Sequence, residues 1–272
     1  MKPPPILTAR RLTKTYRART ALQSVDFHLH QGDTVAVMGP SGAGKTTLLL
    51  TLAGIVRPDQ GSVSFNGSDL TRLTDAGRAQ LRRDHFGFVF QDAQLMPELT
   101  ARDNVALALL VRGICPTVAR EQATAMLEQV GFRSAAGTRC YDLSGGEAQL
   151  VSVARALVGQ PDVIFADEPT GALDQASSQK VMELLVSQAR STGAALVVVT
   201  HDPNVAKWCG EVIHIEDGAV RSRDCAGHGT SVLAPSQVAA TQGVPASPTL
   251  NAVPAPPSVP PLPATEAPGA HS

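Results

Sequence analysis

Residues Gly39-Pro40-Ser41-Gly42-Ala43-Gly44-Lys45-Thr46-Thr47 follow the pattern G-x-x-x-x-G-K-[ST]. They lie between an apolar run, Thr34 to Met38, and a run from Lys45 to Gly54 in which Leu48, Leu49, Leu52 and Ala53 recur at helical spacing. This arrangement leaves the chain little freedom. A strand ends at the first glycine, and a helix opens at the lysine, its unpaired first-turn N–H groups and positive dipole end facing the loop. The glycines let successive backbone N–H groups turn inward around an anion. A strand-loop-helix unit of this kind cradles the β-phosphate of a nucleoside triphosphate. In that setting Lys45 reaches the β- and γ-phosphates and Thr46 ligates Mg²⁺.

The surrounding sequence supplies a sheet for this unit. Ile6–Tyr16 and Gln23–His30 read as strands, giving a β-rich start, followed by Thr34–Met38, the phosphate loop and the helix Lys45–Gly54. Strands Ser62–Asn66 and Phe86–Phe90 come next. Residues 100–129 turn helical, with a break at Gly113 and Pro116, and read as a helical subdomain inserted into the sheet. Helices Glu147–Val158 and Gln175–Ser191 alternate with strands Asp162–Ala166, Ala194–Thr200 and Val212–Glu216. Apolar strands separated by helices predict a mostly parallel sheet covered on both faces.

Two further clusters carry chemistry. Val163-Ile164-Phe165-Ala166-Asp167-Glu168 is a strand of the buried type that ends in adjacent carboxylates, where an α/β sheet presents its ligand-binding groups. Asp167 suits Mg²⁺ held through water, and Glu168 is placed to polarise an attacking water. Leu143-Ser144-Gly145-Gly146-Glu147 opens a helix and offers a hydroxyl with two glycine N–H groups, a second anion-binding element. The same Ser-x-x-Glu spacing is also that of an ordinary capping box.

Taken in order, the phosphate loop at 39–47, Gln91 after Gly87-Phe88-Val89-Phe90, Leu-Ser-Gly-Gly at 143–146, Asp167-Glu168, Gly171-Ala172-Leu173-Asp174 and His201 resemble the motif order of an ABC-type ATPase. The resemblance covers residues 6–224. It implies a P-loop NTPase of ABC type: an α/β fold with a mostly parallel sheet core, an N-terminal antiparallel β subdomain and an inserted helical subdomain near residues 95–157. It implies binding of ATP and Mg²⁺, with Thr46, Gln91 and Asp167 around the metal. It further implies that Tyr16 stacks on adenine, that Gln91 completes the shell of metal and water and reports to a membrane partner through Asp92 to Leu99, and that His201 senses the γ-phosphate. Two such chains, alike or different, would dimerise head to tail, each nucleotide held between one chain's phosphate loop and the other's Ser144 and Gly146, with Asp174 coupling the two sites. The alternative reading of Tyr16 is an ordinary strand aromatic.

Finer likeness in residues 85–91, 99–105 and 167–174 resembles the ATPases of the macrolide-export, lipoprotein-release and cell-division group, which implies a separately encoded permease and a place on the cytoplasmic face of the membrane. A non-transporting member of the family is the alternative, either a mechanical regulator of an envelope enzyme or a soluble nucleic-acid or translation factor. Two positions depart from the family pattern: Leu150 stands where relatives carry a basic residue, and Cys140-Tyr141-Asp142 lacks a common proline.

Composition narrows the remaining choices. A net charge of −1 argues against a nucleic-acid binder that works through bulk electrostatics, so no nucleic acid is expected as a partner. No apolar run reaches the ~18–20 residues needed to cross a bilayer, and the start at Met1 lacks the pattern of a secretory signal. Cys115, Cys140, Cys209 and Cys225 form no C-x-x-C pair and read as reduced thiols. The ATP-binding domain is expected over 1–226. Ten of the twenty prolines lie between Pro235 and Pro268 with Glu266 the only charged residue there, so 227–272 reads as a Pro/Ala-rich tail unable to form a packed core.

Overall fold

The computed structural model describes residues 4–17, 19–132 and 135–225. The chain divides into a unit from Met1 to Gly229 and a second from Thr230 to Ser272. The second unit, and with it the expected Pro/Ala-rich tail, lies outside the described residues.

Among the described residues, ten strands form two sheets. β1 (Leu7–Tyr16), β2 (Arg19–Leu29), β4 (Gln60–Phe65) and β5 (Ser68–Asp69) make an antiparallel sheet in the order β2-β1-β4-β5. The larger sheet contains β3 (Thr34–Met38), β6 (Phe86–Val89), β7 (Val163–Asp167), β8 (Ala195–Thr200), β9 (Glu211–Glu216) and β10 (Ala219–Cys225), ordered β10-β9-β3-β8-β7-β6. All its pairings are parallel except β10 with β9. The expected mostly parallel sheet with an antiparallel β start is therefore present.

Burial explains the apolar runs. β8 is buried along its whole length: Ala195, Val197 and Val199 face a core shared with the antiparallel sheet and α1 (Lys45–Leu52), while Leu196 and Val198 face the opposite layer. That layer is built by α5 (Gly145–Leu157), α6 (Gln175–Thr192) and the short α7 (Pro203–Ala206). A strand covered on both faces needs apolar side chains at every position, which is why no alternation is visible in it. A third apolar cluster joins α3 (Ala101–Leu110), α4 (Pro116–Gln129) and one face of α5 around Val105, Leu127 and Val151.

Some elements differ from the sequence expectation. β2 opens at Arg19 rather than Gln23, and β10 was not foreseen because Arg221, Arg223 and Asp224 interrupt its apolar pattern. The helical stretch 100–129 is broken where Gly113 and Pro116 predicted, into α3 ending at Leu110 and α4 starting at Pro116. A further helix, α2 (Asp75–His85), was missed outright: its only buried residue is Arg78. That helix is held by charge and hydrogen bonds, with Arg78 Nε and Arg82 Nη1 donating to Gly54 O at 3.0 and 2.9 Å. Such a helix carries no apolar stripe to read.

Candidate active site

The phosphate loop leaves β3 at Met38 and is squeezed between two other strands. A Cβ on Gly39 would collide with Ile215 O of β9, and one on Gly44 with Ala21 O of β2. Gly44, at φ +100, also caps α1 in a left-handed conformation, so only glycine fits there without strain. Lys45 is 8% exposed, and its Nζ donates back to Gly39 O at 2.8 Å and Pro40 O at 3.1 Å. The loop thus holds a fixed cation beside the open N-terminus of α1.

The two acids arrive from β7. Thr46 Oγ1 donates to Asp167 Oδ1 at 3.2 Å, joining residues far apart in sequence. Burial pushes the Asp167 carboxyl above its ordinary range, and repulsion from Glu168 acts the same way, while the Thr46 hydroxyl and the Lys45 charge oppose the shift. Glu168 occupies the left-handed region at φ 47, held by its N–H donating to Val199 O at 2.9 Å and its carbonyl accepting from Gly171 N at 3.0 Å. Its carboxylate accepts a hydrogen bond from His201 Nδ1 at 2.8 Å. A buried-side carboxylate, 17% exposed, is thereby oriented by an imidazole that is 70% exposed.

A cavity of about 420 Å³ runs along the loop, lined among others by Tyr16, Ser41, Lys45, Thr46, Gln91 and Glu168. An adjoining space of about 360 Å³ is lined by Ser41, Lys45, Gln91, Glu168 and His201. Gln91 packs against Gly171, whose added Cβ would come within 3.0 Å of Gln91 Nε2. Tyr16 ends β1 at 47% exposure, with Lys14 Nζ 5.5 Å from its ring centroid. Arg19, which sequence reading did not single out, also lines the larger cavity and donates from Nη2 to Gly42 O at 2.8 Å. No local pattern marks it, because its partner lies on a different element.

The Leu143–Glu147 segment is elsewhere: none of its residues lines either cavity. Ser144 caps α5 in a full capping box, accepting from Glu147 N at 3.4 Å, while Glu147 Oε2 accepts from Ser144 N at 2.9 Å and Ser144 Oγ at 2.7 Å. Gly146 abuts the start of α6, where an added Cβ would lie 3.1 Å from Ser177 Oγ. Asp174 caps that helix through Ser177 N at 3.0 Å and Ser177 Oγ at 2.8 Å. The loop, Gln91, Asp167, Glu168 and His201 thus meet within the chain, and the Leu143–Glu147 segment lies outside both cavities.

The family model described as ABC transporter matches residues 22–171, a span that includes the loop, the Leu-Ser-Gly-Gly segment and the acid pair. The lipoprotein-releasing system ATP-binding protein LolD of Legionella pneumophila (strain Paris) is 41% identical over 223 residues, covering 80% of this chain and 98% of that protein. The macrolide export ATP-binding/permease protein MacB of Marinobacter nauticus is 41% identical over 222 residues, 80% of this chain but 34% of that protein. Among solved structures, the dimeric post-hydrolysis state of the ATP-binding cassette MJ0796 bound to ADP and Pi aligns with a TM-score of 0.77 at 36% identity, covering 81% of this chain and 98% of that one. A loop and acid pair brought together by the fold, and this extent of likeness on both sequence and structure, have one explanation: the chain belongs to the ABC transporter family, among its ATP-binding members.

Proposed function

We propose that this chain is the ATP-hydrolysing subunit that powers a separately encoded membrane permease of the exporter or envelope-remodelling kind, seated on the cytoplasmic face of the membrane. The observation that carries the reading is the convergence of Lys45, Gln91, Glu168 and His201 on one space beside the phosphate loop. The domain at work is residues 1–226, with a helical subdomain near 95–157 and a Pro/Ala-rich tail beyond.

The residues suit both ligands. Gly39, Pro40, Ser41, Gly42, Ala43 and Gly44 supply backbone around the phosphates, Lys45 and Thr47 follow at the helix start, and Tyr16 offers a face for adenine. Lys45 exchanges its two carbonyl partners for phosphate oxygens, which as anions bind an ammonium more strongly. Thr46, Asp167 and Gln91 present only hydroxyl, carboxylate and amide oxygen, the hard donors that suit Mg²⁺. Among the described residues no group of three or more His, Cys, Asp or Glu could hold a metal by itself, so the remaining ligands here come from phosphates and water. When bound, Mg²⁺ would offset charge on the β- and γ-phosphates.

Glu168 acts as the base. Its carboxylate, aimed by His201, keeps acceptor capacity for the attacking water and takes that water's proton as the γ-phosphoryl group departs. As the family resemblance implies, Leu143, Ser144, Gly145, Gly146 and Glu147, which line neither cavity beside this chain's loop, complete the site of a second ATPase subunit, homologous or identical, and Asp174 stands where the two sites communicate. Beyond Gln91, a groove of about 430 Å³ lined by Phe88, Phe90, Gln94, Arg112 and Arg155 supports docking of the permease next to the segment that reports to it. Among the described residues no helix is long and apolar enough to cross a membrane, which leaves the span to the partner.

The test is Glu168→Gln. ATP binding should persist while turnover falls by about 10²–10⁴, the size of a general-base contribution, and an ATP-bound dimer should accumulate on size-exclusion chromatography. Wild-type turnover in that variant would remove Glu168 from the mechanism.

A further inference from the structure

One helix grips both chain segments that carry the hydrolytic groups. Gln149 lies on α5 at 2% exposure, and its Nε2 donates to Phe90 O at 2.9 Å and to Pro169 O at 2.8 Å. Phe90 immediately precedes Gln91, and Pro169 immediately follows Glu168. Both partners are carbonyls, so only the amide nitrogen can serve both, and the side chain has one satisfactory orientation. Farther along the same helix, Arg155 donates from Nη2 to Ala93 O at 2.8 Å and from Nη1 to Gln94 O at 2.7 Å. The stretch from Phe90 to Gln94 is thus strapped to α5 on both sides of Gln91.

We propose that Gln149 is a positioning residue that ties Gln91 and Glu168 to the helix bearing Ser144, so that engagement of Ser144 by a partner's nucleotide is felt at this chain's own hydrolytic groups. The inference rests on the ATPase reading above and adds a route between its sites. α5 is suited to the task because Val151, Val153 and Ala154 pack it into two apolar clusters, so that it moves as a rod. Any displacement of its first turns must either carry Phe90 and Pro169 along or break hydrogen bonds where water is excluded. Arg155 also lines the groove beyond Gln91, so the same helix takes an input from the docking face.

Two variants test this in the full chain. Gln149→Leu removes both donors at similar bulk, and Gln149→Glu keeps the shape but sets acceptors against both carbonyls. In both, kcat should fall by roughly 10–100-fold, the size expected when reacting groups are slightly misplaced, while ATP affinity stays within about threefold, since no ground-state contact is lost. A folded variant with wild-type kcat, or a loss confined to ATP affinity, would overturn the proposal. If neither variant folds, amide hydrogen exchange of the wild-type chain decides. The amides of residues 90–94, Thr170 and Gly171 should open with the protection of α5, as one cooperative unit; the fast exchange of an untethered loop would overturn it. An inactive wild-type chain would instead bring down the ATPase reading and this inference with it, whereas active Gln149 variants bring down this inference alone.

Discussion

Lys45 shows how the fold keeps a cation ready at little cost. An ammonium with 8% exposure needs hydrogen-bond partners, and the carbonyls of Gly39 and Pro40 provide them. Glu168 shows the opposite strategy: a left-handed backbone at a residue other than glycine costs about 1–3 kcal/mol, and it is retained where the carboxylate must point at His201. The loop glycines and the acid pair were legible because their spacing reflects local backbone demands. The His201 contact was not, since it spans two strands. Cysteine chemistry also divides at this scale. Burial pushes the Cys209 thiol up to about 12, whereas Cys115 is exposed. At pH 8, alkylation of the native protein followed by peptide mass analysis should label Cys115 and spare Cys209 until denaturant is added. Rapid native labelling of Cys209 would mean that α7 and its surroundings open readily.

Among the elements, α2 depends on its ends more than on any buried face. Thr74 caps it by accepting from Gly77 N at 3.1 Å, and Thr74→Ala should lower stability by about 1 kcal/mol in urea unfolding. An unchanged midpoint would show that the arginine contacts to Gly54 and the packing of Leu81 hold the helix without the cap. Caps on α5 and α6 respond to acid instead. Hydrogen bonds from the Ser144 hydroxyl and then its N–H hold Glu147 below the ordinary 4.5, and those from the Ser177 N–H and then its hydroxyl hold Asp174 below 3.8. A depressed folded pKa means stability that is complete above the unfolded value and is lost as pH falls through the folded one. Amide resonances of Gly145–Glu147 and Gln175–Ser177 should therefore shift only below about pH 4.5, and a transition near neutrality would contradict these caps. The capping box at Ser144 was visible from its Ser-x-x-Glu spacing. That its residues line neither cavity beside the loop is decided by how α5 packs.

At the scale of the molecule, the large sheet aligns everything that must meet. Phe165, fully buried on β7, packs against Phe86 with centroids 5.2 Å apart and stacks on Phe88 at 5.7 Å. Two residues on, the same strand delivers Asp167. Phe165→Ala should cost about 3–5 kcal/mol through lost burial and the cavity left behind, measured by urea unfolding, and should weaken ATP binding because the strand end shifts. A loss below about 1 kcal/mol would mean that the core relaxes fully around the gap. The sequence by itself determined the strand-loop-helix unit, the acid pair, the parallel architecture and the order of motifs, since each is written in consecutive residues through glycine spacing, apolar period and helix caps. Only the tertiary structure decided that Thr46 meets Asp167, that Glu168 meets His201, that Arg19 leans on Gly42 and that Gln149 grips two distant carbonyls. Those contacts follow from the strand order β9-β3-β8-β7-β6 and from how the antiparallel sheet and α5 pack on it; two-sided burial shows in the apolar run of a single strand, but which buried strands lie side by side is a property of the packed whole with no signature in any one stretch of chain.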